Sequence, residues 1–396
     1  MQYRTDLKSG NKLSALGLGC MRFPRGAIQI DYKKSEKLVL DAIDAGVNYF
    51  DTAYIYMGSE EILGQIFKNN PGTREKIFLA TKLPLRMCKS YDDFDKLFNI
   101  QLKRLNTDYI DYYFMHNLSS RKKWDELCRL GIEDWIAGKK AEGKIKLAGF
   151  SFHGSQSEFF ALLDAYDWDF CQIQYNYANI HYQAGAAGLK AAADKGIPVI
   201  IMEPLLGGKL ATGLPKHAAK LFSDVDASKT PAAWALNWLW DQPEATVVLS
   251  GMNTPEQLKE NASLATAARA GMLSEKEKAV YDGVVEAFYK SFEIACTGCN
   301  YCMPCPMNVN IPECFSSYNM YRSVGKATGM MSYMTSTAAV NREHNFLASR
   351  CVRCGKCEKE CPQHINIMDG LLKVKKHMEP FWFNPVMSVL RKINLG

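Results

Sequence analysis

The chain has 396 residues, 47% hydrophobic and 23% charged, which is long for one domain and apolar enough for a large core, so a second module is expected. No apolar run reaches about eighteen residues, and Met1-Gln2-Tyr3-Arg4-Thr5-Asp6 is not a signal region, so stable membrane insertion is not expected and the location reads as cytoplasmic. Of 48 basic and 42 acidic side chains, twelve and six lie beyond residue 300, so the net charge of +6 sits in the C-terminal quarter, as a solvated basic surface or a docking face for an acidic partner; no nucleic-acid motif accompanies it, and no nucleic acid is expected as a partner.

In chain order, residues 2–13 read as a hairpin turning at Ser9-Gly10-Asn11, a plug for the closed end of a barrel. Residues 15–19 form a first apolar run, ending near Cys20-Met21. Residues 33–45 have helical spacing and stop at Gly46. Residues 47–50 form a second run that stops at Asp51. A loop then carries Tyr56, and Ser59 reads as the N-cap of the next helix. The run 76–81 ends at Lys82, residues 91–105 are helical, the run 109–115 ends at His116, and residues 124–142 read as one helix. Four more runs follow: 146–150 ends at Ser151, 170–174 at Tyr175-Asn176, 198–202 at Glu203-Pro204, and 245–249 at Ser250-Gly251. The longest interruption, 205–230, reads as a substrate or cofactor loop, and 256–266 and 274–292 as the last helices. Eight apolar runs alternating with helices predict an α/β fold, a (β/α)8 TIM barrel of about 250 residues. In such a barrel the acid, phenol, amine and imidazole at the ends of three successive strands open on one face.

Near residue 295 the pattern breaks. Cys296-Thr297-Gly298-Cys299-Asn300-Tyr301-Cys302-Met303-Pro304-Cys305-Pro306 is followed, with 45 residues between Cys305 and Cys351, by Cys351-Val352-Arg353-Cys354-Gly355-Lys356-Cys357-Glu358-Lys359-Glu360-Cys361-Pro362. The second run has the C-x₂-C-x₂-C-x₃-C-P spacing of iron–sulfur proteins, in which the fourth Cys ligates the other cluster, and the first run is one residue shorter. Four cysteines also suit zinc, but zinc does not need three closely spaced thiols and a Cys-Pro. The expected ligand sets are Cys296, Cys299, Cys302 and Cys361 for one [4Fe–4S] cluster, and Cys351, Cys354, Cys357 and Cys305 for the other. Cys314 is a spare candidate. Cys20, Cys88, Cys128 and Cys171 read as core thiols, with a reservation for Cys20 at the end of the first strand. The helical, Met-rich spacer resembles helical ferredoxin domains, such as those in the iron–sulfur subunits of succinate dehydrogenases. The tail Phe381-Trp382-Phe383-Asn384-Pro385 is expected to pack back onto the protein, the alternative being a partner or membrane-surface patch. The histidines outside position 116 show no metal-ligand spacing, and His153 alone falls near the expected active face.

Over residues 1–290 the sequence resembles the aldo-keto reductases, on Phe50-Asp51-Thr52-Ala53, Tyr56, Lys82 and His116. The resemblance implies a catalytic tetrad, Asp51, Tyr56, Lys82 and His116, at the barrel mouth. A free Tyr has a pKa near 10 and is a weak acid at neutral pH. Lys82 is expected to lower that pKa, Asp51 to hold Lys82, and His116 to orient a carbonyl oxygen. The resemblance further implies a nicotinamide site with Gly19 and Met21 after the first strand, Ser151 and Gln172 on the carboxamide, Met202 and Leu205 at the seventh strand, and Gly251, Gln257, Glu260 and Asn261 after the eighth. Phe152 replaces the Asn that usually follows the Ser, and Met202 the usual stacking aromatic. Gly251 and Gln257 replace the Lys and Arg that many members place on the 2′-phosphate of NADPH. Weak discrimination for NADPH, with NADH a candidate preference, is therefore expected.

The whole chain resembles the ferredoxin-fused members of that family, with a barrel at 1–290, a mostly helical two-cluster ferredoxin-like domain at 291–375 and a tail at 376–396. The leading expectation is an oxidoreductase that interconverts a small carbonyl and an alcohol with NAD(P)H. Nicotinamide passes two electrons together and a cluster usually one, so a flavin is an open option, though no flavin motif is seen. Two alternatives stand: a reductase without nicotinamide, fed by an acidic electron carrier (ferredoxin or flavodoxin), and a nucleotide-binding docking module of an electron-transfer assembly.

Overall fold

The computed structural model describes residues 1–396 except 27–29, 57, 297, 299–301, 324, 338–344, 362–364 and 388–396. The chain divides into two compact units, Met1–Leu214 with Phe222–Tyr281, and Pro215–Leu221 with Asp282–Gly396.

The first unit opens with an antiparallel hairpin, β1 (Tyr3–Thr5) and β2 (Lys12–Ser14). Eight parallel strands then close into a barrel: β3 (Leu16–Gly19), β4 (Tyr49–Asp51), β5 (Phe78–Leu83), β6 (Ile110–Met115), β7 (Ile145–Phe152), β8 (Phe170–Gln174), β9 (Val199–Met202) and β10 (Ala245–Ser250), with β10 pairing back to β3. Successive side chains of a strand point to opposite faces. On β6 this sends Tyr112 and Phe114 into the barrel interior with Phe170 and Ile200, and Tyr113 and Met115 out toward the helices. Leu13 of β2 joins the interior cluster. Tyr112 Oη donates to Asp6 Oδ2 at 2.7 Å, and Arg4 donates to the carbonyls of Gln242 at 2.7 Å and of Ala245, the first residue of β10. The hairpin thus plugs the N-terminal end of the barrel, as expected, and leaves the C-terminal strand ends open.

Four local expectations are corrected. Ser59 is the first residue of helix Ser59–Asn69 and not its N-cap, which is Gly58 at φ +78°; the Ser59 hydroxyl instead donates to Cys20 O at 2.9 Å and shares a 2.8 Å bond with Thr52 Oγ1. The helix expected over 124–142 is two, Arg121–Arg129 and Ile132–Ala141, because Gly131 at φ +86° ends the first in a left-handed turn. The interruption 205–230 is not all loop: it holds helix Lys216–Val225, whose Phe222 stacks on Trp234 at 4.7 Å. The last barrel helix is likewise divided, into Glu275–Lys278 and Val280–Lys290, though Ala279 between them keeps right-handed helical geometry.

The second unit is built on helices Ile311–Ser323, Lys326–Ser336 and Ile367–Met378 around a core that includes Phe315, Tyr333 and Val374. Its aromatic tail is split: Phe383 is fully buried in that core, while Phe381 is 93% exposed. Among the described residues, no helix is long and apolar enough to cross a membrane.

Candidate active site and cluster site

The open end of the barrel collects the polar inward side chains. Lys82 of β5 is buried, with Nζ 2.5 Å from Asp51 Oδ1 at the end of β4 and 2.8 Å from Thr52 O. Gln172 of β8 reaches across and donates from Nε2 to Asp51 Oδ2 at 3.0 Å. Both carboxylate oxygens of Asp51 are therefore held. Burial works against the Lys82 ammonium, but Asp51 and Tyr56 outweigh it and the pKa rises.

Tyr56 is half-buried, with its ring centroid 5.1 Å from Lys82 Nζ and 6.1 Å from the His116 ring, edge to face. The expected lowering of its pKa is reversed. Burial, the largest effect, disfavours the phenolate, and the charge of Asp51 opposes that of Lys82, so the net shift is upward. Burial and then the Lys82 charge push His116 down to about 3, which leaves the imidazole neutral. His153, just after β7, is likewise pushed down to about 4 by burial, and its Nδ1 lies 3.2 Å from Gln183 Oε1.

A supporting layer lies beneath Lys82. Glu60 is fully buried and accepts from Thr81 Oγ1 at 2.7 Å and Gln101 Nε2 at 2.8 Å. The same Gln101 amide reaches Lys82 O at 3.1 Å, and Tyr113 Oη donates to Gln101 Oε1 at 2.7 Å. Sequence reading missed this network. The available signal was Glu60 at helical spacing from Leu63, Gly64 and Phe67, which places a carboxylate on the buried face of its helix.

The expected nicotinamide positions are only partly free. Ser151 is 2% exposed and its Oγ accepts from Asn117 N at 2.9 Å. The Gln172 amide nitrogen is committed to Asp51. Met202 is half-buried against the interior cluster, Leu205 is half-buried, and Met21 is exposed. Gly19 packs beside Ser250 and Gly251. Gln257 accepts from Asn253 N at 2.9 Å, Glu260 accepts from Thr230 Oγ1, and Asn261 Nδ2 donates to Ser250 Oγ at 3.1 Å. Gln174 was passed over in the sequence reading. It follows Gln172 by two residues, hence on the same inward face, and pairs in register with Met202. It is 2% exposed, and neither amide atom has a partner among the described residues.

In the second unit, Cys305, Cys351, Cys354 and Cys357 line one cavity of about 130 Å³, together with Cys302, Met303 and Pro304. Cys354 is exposed and the other three are half-buried. Cys296 and Cys302 are half-buried, Cys361 is buried, and Cys299 lies outside the described residues. Cys314 is buried and absent from the cavity wall; its thiol faces Phe346 O at 3.8 Å. In the barrel, Cys20, Cys88 and Cys171 are buried, and Cys128 is half-buried and packed against the core cluster. Burial pushes the Cys88 thiol up to about 12 and that of Cys128 up to about 11, which makes both poor nucleophiles.

Comparison with known proteins agrees with this division. The family model "Aldo/keto reductase family" matches residues 15–276, and the model "4Fe-4S dicluster domain" matches residues 295–365. An uncharacterized oxidoreductase of Bacillus subtilis, YrpG, is 29% identical over 66% of this chain and 90% of its own. The 6-dehydroglucose reductase of Novosphingobium aromaticivorans is 28% identical over 57% of this chain and 78% of its own. The crystal structure of an aldo-keto reductase from Klebsiella pneumoniae in complex with NADPH superposes with a TM-score of 0.58 over 72% of this chain and 95% of that one, at 24% identity. The chain is an oxidoreductase of the aldo/keto reductase family, with a 4Fe-4S dicluster domain following its barrel.

Proposed function

We propose that the enzyme interconverts a small carbonyl compound and an alcohol by hydride exchange with a nicotinamide cofactor, with Tyr56 as the proton donor and acceptor. The observation that carries this reading is the buried Asp51–Lys82 pair beside the Tyr56 phenol and the neutral His116 imidazole. The nicotinamide, when bound, supplies the hydride. Tyr56 is protonated throughout the neutral range and gives its proton to the carbonyl oxygen as that carbon is reduced. Lys82, held as a cation by Asp51, stabilises the phenolate left behind. His116, being neutral, donates one N–H to the carbonyl oxygen and fixes its direction. Alcohol oxidation runs the same proton path in reverse.

The residues at the mouth fit a nicotinamide. A buried carboxamide without partners costs about 1–3 kcal/mol for each unmet group. A ligand with both a donor and an acceptor meets the two orphaned atoms of Gln174, and the Ser151 hydroxyl keeps its own hydrogen to give. A relative of the same fold binds NADPH. Here Gln257 and Glu260 are committed elsewhere and Gly251 has no side chain, which favours weak discrimination for NADPH and an enzyme that accepts NADH.

We assign residues 1–290 to catalysis, 291–375 to two [4Fe–4S] clusters and 376–396 to a tail. One cluster is assigned to Cys305, Cys351, Cys354 and Cys357, which, with Cys302, line a common cavity, and the cysteine spacing favours an iron–sulfur cluster over zinc. The other is assigned to Cys296, Cys299, Cys302 and Cys361. The clusters, when bound, pass single electrons. A second reading, electron supply by an acidic carrier such as a ferredoxin or flavodoxin, is favoured by the exposure of Cys354 at the cavity and the basic excess of the C-terminal quarter. The test is anaerobic. NADH is added to protein with intact oxidised clusters while visible absorbance and the electron paramagnetic resonance signal are followed, and carbonyl reduction is assayed in parallel. NADH-dependent reduction of an aldehyde supports the first reading. Bleaching by a reduced carrier protein, with none by NADH and no NADH-dependent turnover, supports the second and defeats the first. Bleaching by NADH calls for a mediator such as a flavin between hydride and cluster.

A further inference from the structure

His153 follows Phe152 where β7 leaves the barrel, and the mechanism above gives it no role. Successive side chains of a strand alternate between its two faces. Phe150 and Phe152 pack outward, against Phe159, so Ser151 and then His153 turn to the inside. By the same alternation His116 follows Phe114 inward from β6, and Gln174 follows Gln172 inward from β8. β7 pairs Ser151 with Gln172, so the next inward position along both strands sets His153 beside Gln174. β7 lies between β6 and β8 in the barrel. The imidazole therefore stands between His116, which is assigned to the carbonyl oxygen, and Gln174, which is assigned to the nicotinamide. A charge on His153 is felt at His116. The backbone here is fixed. Leu118 N donates to Ser151 O at 2.9 Å, in the loop that carries His116 on from β6. A Cβ at Gly154 would stand 2.3 Å from Ser119 O, so only a glycine lets the chain leave His153 this close to that loop.

The ring has a defined hydrogen-bonding state. Its Nδ1 lies 3.2 Å from Oε1 of Gln183, a buried side chain in the loop between β8 and helix Gly185–Asp194. An amide oxygen only accepts, so Nδ1 carries the hydrogen and Nε2 is left with a lone pair. Nε2 has no partner among the described residues. Burial keeps the ring uncharged at neutral pH. Gln183 itself is held at φ +56°, a conformation uncommon outside glycine, while its side chain anchors the imidazole. A neutral acceptor at this point suits an O–H group. It does not suit a carboxylate or a phosphate, which would set one lone pair against another. We infer that His153 is a substrate-binding residue whose Nε2 accepts a hydrogen bond from a substrate hydroxyl, with Gln183 as the positioning residue that fixes the ring, so that the substrates of this enzyme are uncharged hydroxy-carbonyl compounds. The inference rests on the reading above, in which a carbonyl lies between His116 and a nicotinamide.

The test compares glyceraldehyde with propanal, which has the same carbon skeleton and no hydroxyl, in steady-state reduction by NADH. The full chain is used with its clusters in place, as the wild type, His153→Phe and Gln183→Asn. Asn tolerates the left-handed backbone at 183 but is one methylene too short to reach Nδ1, so this variant frees the ring without replacing it. The readout is the ratio of kcat/KM for the two aldehydes, and comparing that ratio between proteins cancels their different hydration in water. The wild type is expected to favour glyceraldehyde. His153→Phe is expected to cut that preference by about five- to tenfold, the worth of one hydrogen bond. The loss should appear in KM for glyceraldehyde more than in kcat, because the hydroxyl is not at the reacting carbon. Gln183→Asn should move the ratio in the same direction by a smaller factor, and it carries the test if His153→Phe does not fold. A ratio that stays at the wild-type value in both variants, or an equal loss for both aldehydes, would overturn the inference alone and leave the carbonyl reading standing. A wild type that reduces neither aldehyde with NADH would overturn that reading, and this inference with it.

Discussion

Gln172 Nε2 stands 3.0 Å from Asp51 Oδ2, so β8 and β4 are tied together through the carboxylate that holds Lys82. Gln172 is therefore a positioning residue for the Asp51–Lys82 pair in addition to any contact with a nicotinamide. Gln172→Met keeps the volume and removes the donor. A hydrogen bond to a charged group is worth about 1.5–3 kcal/mol. The expected result is a kcat lower by roughly tenfold or more with the dissociation constant for NADH little changed. A raised dissociation constant with normal kcat would show instead that Gln172 serves only the cofactor.

Tyr56→Phe removes one oxygen and leaves the ring against His116. If Tyr56 is the proton donor, carbonyl reduction falls by about 10²–10⁴-fold. Dinucleotide binding is expected to persist, because none of the polar groups assigned to the cofactor is altered. Unchanged turnover in the variant would favour a binding or docking role for the barrel over catalysis.

Much of this was legible in the sequence, and the reasons differ from residue to residue. The strand that ends at Asp51 and the one that carries Lys82 announce themselves because parallel strands buried on both faces are continuous apolar runs, and a charge at their ends is conspicuous. The direction of the Tyr56 shift was not legible, since it depends on how completely the phenol is buried against Lys82 and Asp51 together. The Glu60–Gln101–Thr81 network was hidden for a related reason. Each member sits in a different element, and only the packing of helix Ser59–Asn69 against helix Tyr91–Leu105 brings them to one point. The break at Gly131 was readable in principle, since a lone Gly inside a helical pattern is a candidate C-cap, but the flanking periodicity on both sides overrode it.

That helix packing supplies a stability prediction. A Cβ at Gly64 would lie 1.9 Å from Arg104 O, a backbone atom at the end of the neighbouring helix. No side chain can yield to relieve it. Gly64→Ala is therefore expected to destabilise the barrel by about 1–3 kcal/mol or more, despite alanine's better helix propensity. It is also expected to lower kcat, because Glu60 moves with the same helix and lies beneath Lys82. A denaturation midpoint equal to the wild type would contradict the close helix contact.

The two histidines near the mouth give the pH dependence a definite sign. His116 and His153 titrate near 3 and near 4 in the folded protein, against 6.5 for an ordinary histidine. Between these values and 6.5 the unfolded chain binds more protons than the folded one. Their contribution to stability is therefore complete above about pH 6.5 and is lost as the pH falls through that window, at no more than about 1.4 kcal/mol per pH unit for each. His116→Asn should flatten the slope of unfolding free energy between pH 6.5 and 4 relative to the wild type. Turnover in carbonyl reduction should show no acid limb near 6.5 from His116, and should decline only as the pH passes the raised pKa of Tyr56, above the usual 10. A limb near 6.5 that disappears in His116→Asn would show that the imidazole is more solvated than its setting suggests.

The cluster assignment turns on Cys305. It belongs by sequence to the first cysteine run, yet with Cys302 of that run it lines the same cavity as Cys351, Cys354 and Cys357 of the second. Two intact clusters correspond to about eight iron atoms per chain. Cys305→Ser is expected to cost the cluster of that cavity and bring the count toward about four, with the cluster of Cys296, Cys299, Cys302 and Cys361 left in place. Cys314→Ser is the control, since that thiol is turned to Phe346 O and lies outside the cavity wall. Because ligand binding to a site that forms only on folding adds to folding free energy, Cys305→Ser should also lower the thermal midpoint of the second unit. Iron held near eight in Cys305→Ser, or lost in Cys314→Ser, would reverse the roles of the two cysteines and undo the exchange of ligands between the runs.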